Sequence, residues 1–309
     1  MDETDVVLSQ LLLINSRTSY RELADKLGLS VNAVHKRIQA LMESGVIRTF
    51  TAKVSLSALN GIHVMVFGRT EAKSINEACR SLSENGSIYW VAIAGGNFVY
   101  IGAYLQNLSK LETFVSTVKK EAQMPNLIVG IEQGTDALNR PQSISDATLY
   151  PLDYQIIYAL HKNSRRPVSE IAEELGVSAK TVRRRLSRMI REGLIELSIE
   201  WYPDVSNDIG TVIHLSLKAS ADKSKVGPLL IKKYSPNMLF FWSFSNLPNS
   251  LICMVWTTSM KQLRDIRESL LKEDYIESID PNILYTGYIY DTWRDKLVQE
   301  KGVLQPRKG

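Results

Sequence analysis

A segment of 18 residues occurs twice in the chain, 148 residues apart, and this repeat constrains the fold more than any other feature. Residues 30–47 read SVNAVHKRIQALMESGVI, and residues 178–195 read SAKTVRRRLSRMIREGLI. In each copy a serine that can cap a helix precedes apolar residues at helical spacing, and a glycine follows where the helix should end. Residues 5–47 and 153–195 align without an insertion, which indicates an internal duplication.

Each copy of the repeat predicts a winged helix-turn-helix domain. Two shorter helical patterns precede the repeated helix, and Gly28 and Gly176 occupy the turn before it. The alternating segment RTFTAKVSL follows the first copy and is typical of a strand. Three helices, a glycine turn and a following strand are the order of this domain. We therefore predict winged helix-turn-helix domains over residues 1–55 and 151–203.

The remaining sequence predicts two ferredoxin-like domains, over residues 56–134 and 204–295. Each has the order strand, helix, strand, strand, helix, strand. A Gly95-Gly96-Asn97 hairpin turn is expected in the first, because glycine and asparagine tolerate positive φ. The polar residues 135–150 predict a linker, and residues 296–309 predict a frayed tail. The fold class is thus α+β, with two winged helix-turn-helix domains alternating with two ferredoxin-like βαββαβ domains in a tandem duplication.

Composition is typical of a globular protein that stays in a reducing compartment. The chain has 309 residues, lacks an apolar run near the ~20 residues of a membrane helix, and contains only two cysteines, Cys79 and Cys253. The acidic N-terminal segment does not resemble a signal peptide. We therefore expect a cytoplasmic protein with no membrane partner.

The positive charge of the chain is concentrated in its second half. Residues 1–148 carry 14 basic and 14 acidic residues, so the net charge of +4 lies entirely beyond them. Residues 176–191 contain six basic residues and no acidic one. A helix with a narrow apolar stripe and such a basic face indicates a polyanionic partner, and duplex DNA is the best candidate. The alternative is a solvated charged face, which the absence of acidic residues argues against.

The repeated helices supply the candidate DNA-binding residues, because the first residues of a recognition helix read base edges and basic neighbours bind phosphate. In the second copy these are Lys180, Thr181, Arg183 and Arg184, with Arg188 directed towards the DNA backbone. Arg185 shares its position with Arg37 and suits an intramolecular salt bridge. The comparable residues of the first copy are Asn32, His35 and Lys36.

The first repeated helix carries less charge and predicts a weaker reader of its half-site. Arg48, Thr49 and Lys53 in the following strand suit a DNA-facing wing, although an ordinary hairpin is an equal alternative. Glu196 and Glu200 in the second strand would repel phosphate. We therefore predict an asymmetric or imperfectly palindromic DNA target, with half-sites about 34 Å apart.

Other candidate sites have ordinary structural interpretations. Aromatic residues alternate within the predicted strands and favour packing between sheets. His63, His161 and His214 lack a second ligand at metal-binding spacing, so we predict no metal. The sequence also lacks phosphate-binding and nucleophile motifs, so we predict neither a cofactor nor an enzyme.

The domain order, together with ELADKLGLSVNAVHKRIQALMESGVI and EIAEELGVSAKTVRRRLSRMIREGLI, resembles the Lrp/AsnC family of prokaryotic, especially archaeal, transcription regulators. In that family one such unit is a subunit, and two subunits pair through their βαββαβ sheets. The resemblance implies that this chain is an intramolecular pseudo-dimer that binds double-stranded DNA. It is also compatible with a homodimer formed through the sheets.

The resemblance also implies a small effector, such as an amino acid, bound between the sheets. The family position for it corresponds to Gly95, Gly96 and Asn97. The equivalent turn of the second copy, Asn246-Leu247-Pro248-Asn249, lacks the glycines. Neither turn has the aspartate that family members often carry.

Siroheme decarboxylases resemble the same family and provide an alternative function, that of a tetrapyrrole enzyme. They carry a His-Asn-Tyr and Arg cluster around the second and third strands. This chain has Tyr89-Trp90 and Phe241-Trp242 there, and neither hairpin contributes His or Arg. The sequence therefore favours a sequence-specific transcription regulator.

Overall fold

A computed structural model describes residues 1–132 and 148–303, and the chain divides into two compact units. One unit, here called the sheet unit, contains Met1–Val7, Ile62–Pro141 and Tyr202–Tyr290. The other, here called the helix unit, contains Leu8–Gly61, Gln142–Trp201 and Asp291–Gly309. Both units take segments from both repeats, so like domains associate across the duplication.

The helices and strands of the first repeat follow the predicted order. They are α1 (Glu3–Ile14), α2 (Tyr20–Leu27), α3 (Val31–Glu43), β1 (Ile47–Val54), β2 (Ile62–Arg69), α4 (Ile75–Ser83), β3 (Ile88–Ala94), β4 (Phe98–Leu105), α5 (Leu111–Glu121) and β5 (Leu127–Ile131).

The second repeat has the same order and one additional helix. Its elements are α6 (Pro151–Leu160), α7 (Val168–Leu175), α8 (Ala179–Arg191), β6 (Ile195–Trp201), β7 (Ile209–Leu217), α9 (Lys223–Tyr234), β8 (Met238–Ser243), β9 (Ser250–Thr257), α10 (Met260–Leu270), β10 (Ile276–Ile289) and α11 (Trp293–Gly302). Among the described residues, no helix is long and apolar enough to cross a membrane.

The predicted ends of the repeated helices are confirmed. The Ser30 and Ser178 side chains each accept a hydrogen bond of 3.1 Å from the backbone N–H three residues later. Gly28 and Gly176 both adopt φ of +64°, which ends the preceding helix and turns the chain into α3 or α8. Residues with a side chain rarely adopt this backbone conformation, so glycine is the natural residue at both turns.

One antiparallel eight-stranded sheet, with the order β5-β2-β4-β3-β10-β7-β9-β8, forms the sheet unit. Each half has the strand order of a ferredoxin-like domain, and β10 joins the halves by pairing with β3. The two end strands also meet, because Glu132 forms a bridge with Phe244 and the Ser245 N–H donates to the Ile131 carbonyl at 2.8 Å. A short contact of two residues on each side therefore links the ends of β5 and β8.

Aromatic rings fill the face of the sheet that lies opposite the helices. Trp90 stacks on Trp242 with ring centroids 5.9 Å apart, which joins the two repeats. Gly130 and Gly102 make room for rings, since a Cβ at these positions would lie 2.4 Å from Phe244 and 2.6 Å from Tyr89. The prediction that the aromatic residues serve packing is confirmed for these rings.

A partly buried hydrogen-bond chain also crosses between the repeats in the sheet unit. The Asn282 amide donates to the Tyr100 hydroxyl at 3.0 Å, so this hydroxyl donates to His214 Nε2 at 2.6 Å. Burial lowers the pKa of His214 to about 4, despite the opposing charge of Asp280. A neutral imidazole that accepts this hydrogen bond is therefore the native form.

The tail that we expected to fray is instead a helix in the helix unit. Val298 of α11 is fully buried, and Arg294 is 1% exposed. Its guanidinium donates to the Val54 carbonyl from Nε at 3.0 Å and to Glu196 at 2.7 Å. The prediction for residues 296–309 is therefore wrong up to Gly302. Residues 304–309 lie outside the described residues. Of the predicted linker, the structure describes residues 148–150.

The lowered pKa of His214 predicts a loss of stability in acid. Between about pH 6.5 and 4 the unfolded histidine binds a proton that the folded one does not, so the unfolding free energy falls as the pH falls. The full effect is about 3 kcal/mol. Urea unfolding at pH 7 and pH 5 should show a smaller decrease for His214→Gln, which keeps an acceptor for Tyr100. An equal decrease in both proteins would contradict a neutral His214 in the folded protein.

Candidate nucleic-acid interface

The strands that follow the two repeated helices pair with each other. β1 and β6 form a two-stranded antiparallel sheet in which Phe50 lies opposite Ile199 and Val54 opposite Ile195. The strands expected to form DNA-facing wings or ordinary hairpins therefore pair with each other instead. Lys53, a predicted wing residue, lies 2.9 Å from Asp295 Oδ1 and is only 20% exposed, so it is not a DNA-facing residue. Arg48 is exposed on β1, and its contact with DNA stays a prediction.

The loops after α1 and α6 are joined by an arginine exchange, in which an arginine of each loop donates hydrogen bonds to backbone carbonyls of the other. Arg17 donates from Nη1 to the carbonyls of Arg166, at 2.9 Å, and Ser164. Arg165 donates from Nη1 to the carbonyls of Ser16, at 2.7 Å, and Thr18, at 3.2 Å. Together with the β1–β6 pairing, this exchange joins the two helix-turn-helix domains into one body.

Three basic side chains remain available on α8. Lys180, Arg183 and Arg184 are exposed, and no hydrogen bond or ion pair engages them within the described part of the chain. The opposite stripe of the helix, formed by Val182, Leu186 and Met189, is buried. The core therefore fixes the helix while these cations face solvent. Thr181 is half-buried, and its hydroxyl contacts the capping Ser178 hydroxyl at 2.9 Å.

Two other arginines of α8 are held by a buried carboxylate. Asp153 on α6 is fully buried, and it accepts hydrogen bonds from Arg185 at 3.1 Å and Arg188 at 2.8 Å. Arg188 also donates to the Thr148 carbonyl at 3.0 Å. The predicted salt bridge of Arg185 is confirmed. Arg188 was predicted to face the DNA backbone, but its guanidinium is committed to α6, so we remove it from the candidate set.

The first repeated helix presents a different set of exposed groups. Asn32, His35 and Lys36 are all exposed on α3, as the sequence predicted. The His35 ring lies 5.3 Å from that of Tyr20, and the Arg165 guanidinium lies 4.5 Å from the same tyrosine. This face therefore offers one permanent cation where the equivalent face of α8 offers three.

The predicted effector turn has the expected backbone. Gly96 and Asn97 adopt φ of +66° and +58° between β3 and β4. The Arg69 guanidinium lies beside Gly96, within 4 Å of the position that a Cβ would take. An arginine there is a group that the sequence did not single out. Effector binding at this turn stays a prediction.

One cluster with metal-ligating side chains was not foreseen, because its members are distant in sequence. His161, Asp291 and Asp295 place possible ligand atoms within 4.8 Å of one another. Burial would raise the pKa of Asp295, but Lys53 and a Thr292 backbone hydrogen bond hold it below its ordinary value. Lys53 thus already places a positive charge beside this cluster.

Stability measurements can test the role of Asp153. Asp153→Asn should lower the unfolding free energy by about 2 kcal/mol, because it leaves Arg185 and Arg188 without a buried counter-charge. Glu192→Gln is the matched control, since Glu192 is partly exposed and lies 3.7 Å from Arg188. The control should lose less than about 1 kcal/mol. Equal losses in urea unfolding at pH 7 would contradict this role.

The two helix-turn-helix domains and the two ferredoxin-like domains can be compared with those of known proteins. A family model described as winged helix-turn-helix DNA-binding matches residues 1–48 and 151–196. An uncharacterised HTH-type transcriptional regulator, PH1692 of Pyrococcus horikoshii, is 30% identical over 120 residues, which are 38% of this chain and 81% of that protein. The HTH-type transcriptional regulator LrpA of the same organism is 34% identical over 85 residues, 27% of this chain and 60% of LrpA. The chain belongs to the Lrp/AsnC family of transcription regulators.

A solved structure shares the duplicated fold. The siroheme decarboxylase NirDL has a TM-score of 0.60, with coverage of 97% of this chain and 98% of that chain. Sequence identity is 12%, so this similarity concerns the fold alone.

Proposed function

We propose that the chain is a sequence-specific transcription regulator that reads two unlike DNA half-sites with α3 and α8. The observation that carries this proposal is the set of exposed, unengaged cations Lys180, Arg183 and Arg184 on a helix whose other face is buried. An arginine near the start of such a helix can contact guanine edges or phosphate. The corresponding asparagine and histidine of α3 suit base edges more than phosphate.

The two half-sites should contribute unequally to affinity. Each phosphate contact releases condensed counterions and adds about 0.9 to the slope of log affinity against log salt. Lys180, Arg183 and Arg184 correspond in sequence to Asn32, His35 and Lys36. Of these three positions in α3, only Lys36 carries a permanent positive charge. We therefore assign most of the electrostatic affinity to α8.

A tetrapyrrole enzyme is the weaker candidate because large aromatic rings lie between the two repeats of the sheet unit. Trp90, Trp242 and Phe244 occupy the space between the two repeats. The His63 ring is engaged at both nitrogens, by Glu132 at 2.5 Å and by the Tyr89 hydroxyl at 3.1 Å. We therefore propose that the protein is not an enzyme.

A small effector is a further part of the proposal. The Arg69 guanidinium beside the Gly95–Asn97 turn is suited to a carboxylate, such as that of an amino acid. Binding there would regulate the protein by changing its affinity for DNA. Free amino acids added to a fluorescence anisotropy titration with DNA would show such an effect as a shift in the affinity for DNA.

The α8 assignment predicts a difference between two matched double variants. Arg183→Ala with Arg184→Ala should weaken binding to a duplex selected from a random library by about tenfold or more, and should reduce the salt slope by about 1–2. His35→Ala with Lys36→Ala changes the equivalent residues of α3 and should weaken binding by only about threefold. Fluorescence anisotropy across a salt series measures both quantities. Equal losses would contradict the asymmetry, and an unchanged affinity in the first variant would reject α8 as a DNA-binding helix.

A further inference from the structure

We propose that Arg17 and Arg165 determine which half-site spacing the protein accepts. This inference rests on the proposed DNA-binding function and adds a role for residues outside the recognition helices. Both arginines lie in the short loops between the first two helices of their domains. Neither belongs to α3 or α8, so their role is to position those helices.

The exchange of arginines is reciprocal, which distinguishes it from an ordinary surface contact. Arg17 of the first repeat donates to carbonyls in the loop of the second, and Arg165 donates back to the loop of the first. Between the two loops, the hydroxyl oxygens of Ser16 and Ser164 lie 2.5 Å apart. These serines and arginines occupy equivalent positions in the two repeats. The contact therefore relates the two domains by an approximate two-fold axis.

The arrangement holds two positive charges together, so it requires specific acceptors. Burial, and then the charge of Arg165, lower the pKa of Arg17. The four loop carbonyls compensate for this repulsion, because a carbonyl oxygen carries partial negative charge. Arg165 also lies 4.5 Å from the Tyr20 ring and 5.5 Å from the Phe50 ring. A planar guanidinium fixed on several sides permits little movement between the two loops.

The β1–β6 strands alone would leave more freedom. Two-stranded ribbons vary more in twist than larger sheets, so their pairing limits the separation of the two domains but not their angle. The arginine exchange adds a further attachment between the domains, besides the bonds of Arg294 on α11 to Val54 and Glu196. Together these attachments fix the angle, and with it the distance and the turn between α3 and α8. DNA half-sites rotate about the duplex as their spacing changes, so a fixed pair of helices accepts a narrow range of spacings.

The test measures spacing preference in the full chain. A duplex selected by the wild-type protein is lengthened or shortened between its half-sites by one, two and about five base pairs, the last being half a helical turn. Wild-type affinity should fall by about tenfold or more for a change of two base pairs. In Arg17→Ala with Arg165→Ala the same change should weaken binding by about threefold or less, because the loops are released.

Two further variants separate positioning from general stability. Arg17→Lys with Arg165→Lys keeps the charges but loses the planar donors, so it should also broaden the spacing preference. This variant provides the test if the alanine variant fails to fold. Arg166→Ala is the matched control, because its side chain pairs with Glu170 and Glu174 inside its own repeat. It removes a charge from the same loop and should keep the wild-type spacing profile.

The outcomes distinguish this inference from the function on which it rests. If the wild-type protein selects no DNA, the proposed function fails. If it selects a two-part site and the folded arginine variants keep its spacing profile, the positioning role of Arg17 and Arg165 is rejected. A broadened profile with an unchanged Arg166→Ala control supports that role. A broadened profile in Arg166→Ala as well would show a general loosening of the loop and would also overturn it.

Discussion

Backbone pairing between the two repeats is the interaction on which the rest of the structure depends. β1 pairs with β6 in the helix unit, and β3 pairs with β10 in the sheet unit. Each pairing joins a strand of one repeat to a strand of the other, so neither repeat completes its sheet alone. Trp90 of β3 also packs on Trp242 of β8 across the same boundary. Fusion thus gives one chain the contacts that two subunits would otherwise supply.

The local parts of this architecture could be predicted from sequence because their causes are local. A capping serine such as Ser178, a glycine such as Gly176 and apolar residues at helical spacing act within a few residues of each other. The fold class and the exposed faces of α3 and α8 followed from these signals and from the repeat. The two ferredoxin-like domains followed from strand order and from the hairpin turn at Gly96.

The remaining features depend on residues that are distant in sequence. Arg188 has the spacing of a surface cation, and only the position of Asp153 on α6 shows that it is held within the protein. Lys53 has the sequence position of a wing residue, but the fold places Asp295 of α11 beside it. The arginine exchange is similar, since its acceptors are backbone carbonyls that carry no sequence signature. A basic residue that binds DNA and one that stabilises a fold therefore look alike in sequence.

The central claim is that one chain provides both readers of a two-part DNA site. Native mass spectrometry of the full chain with its selected duplex tests this directly, because it counts the chains in each complex. We predict one chain per duplex, since the β1–β6 pairing and the arginine exchange join both helix-turn-helix domains within the chain. A complex with two chains per duplex, formed with no detectable single-chain complex, would contradict the account.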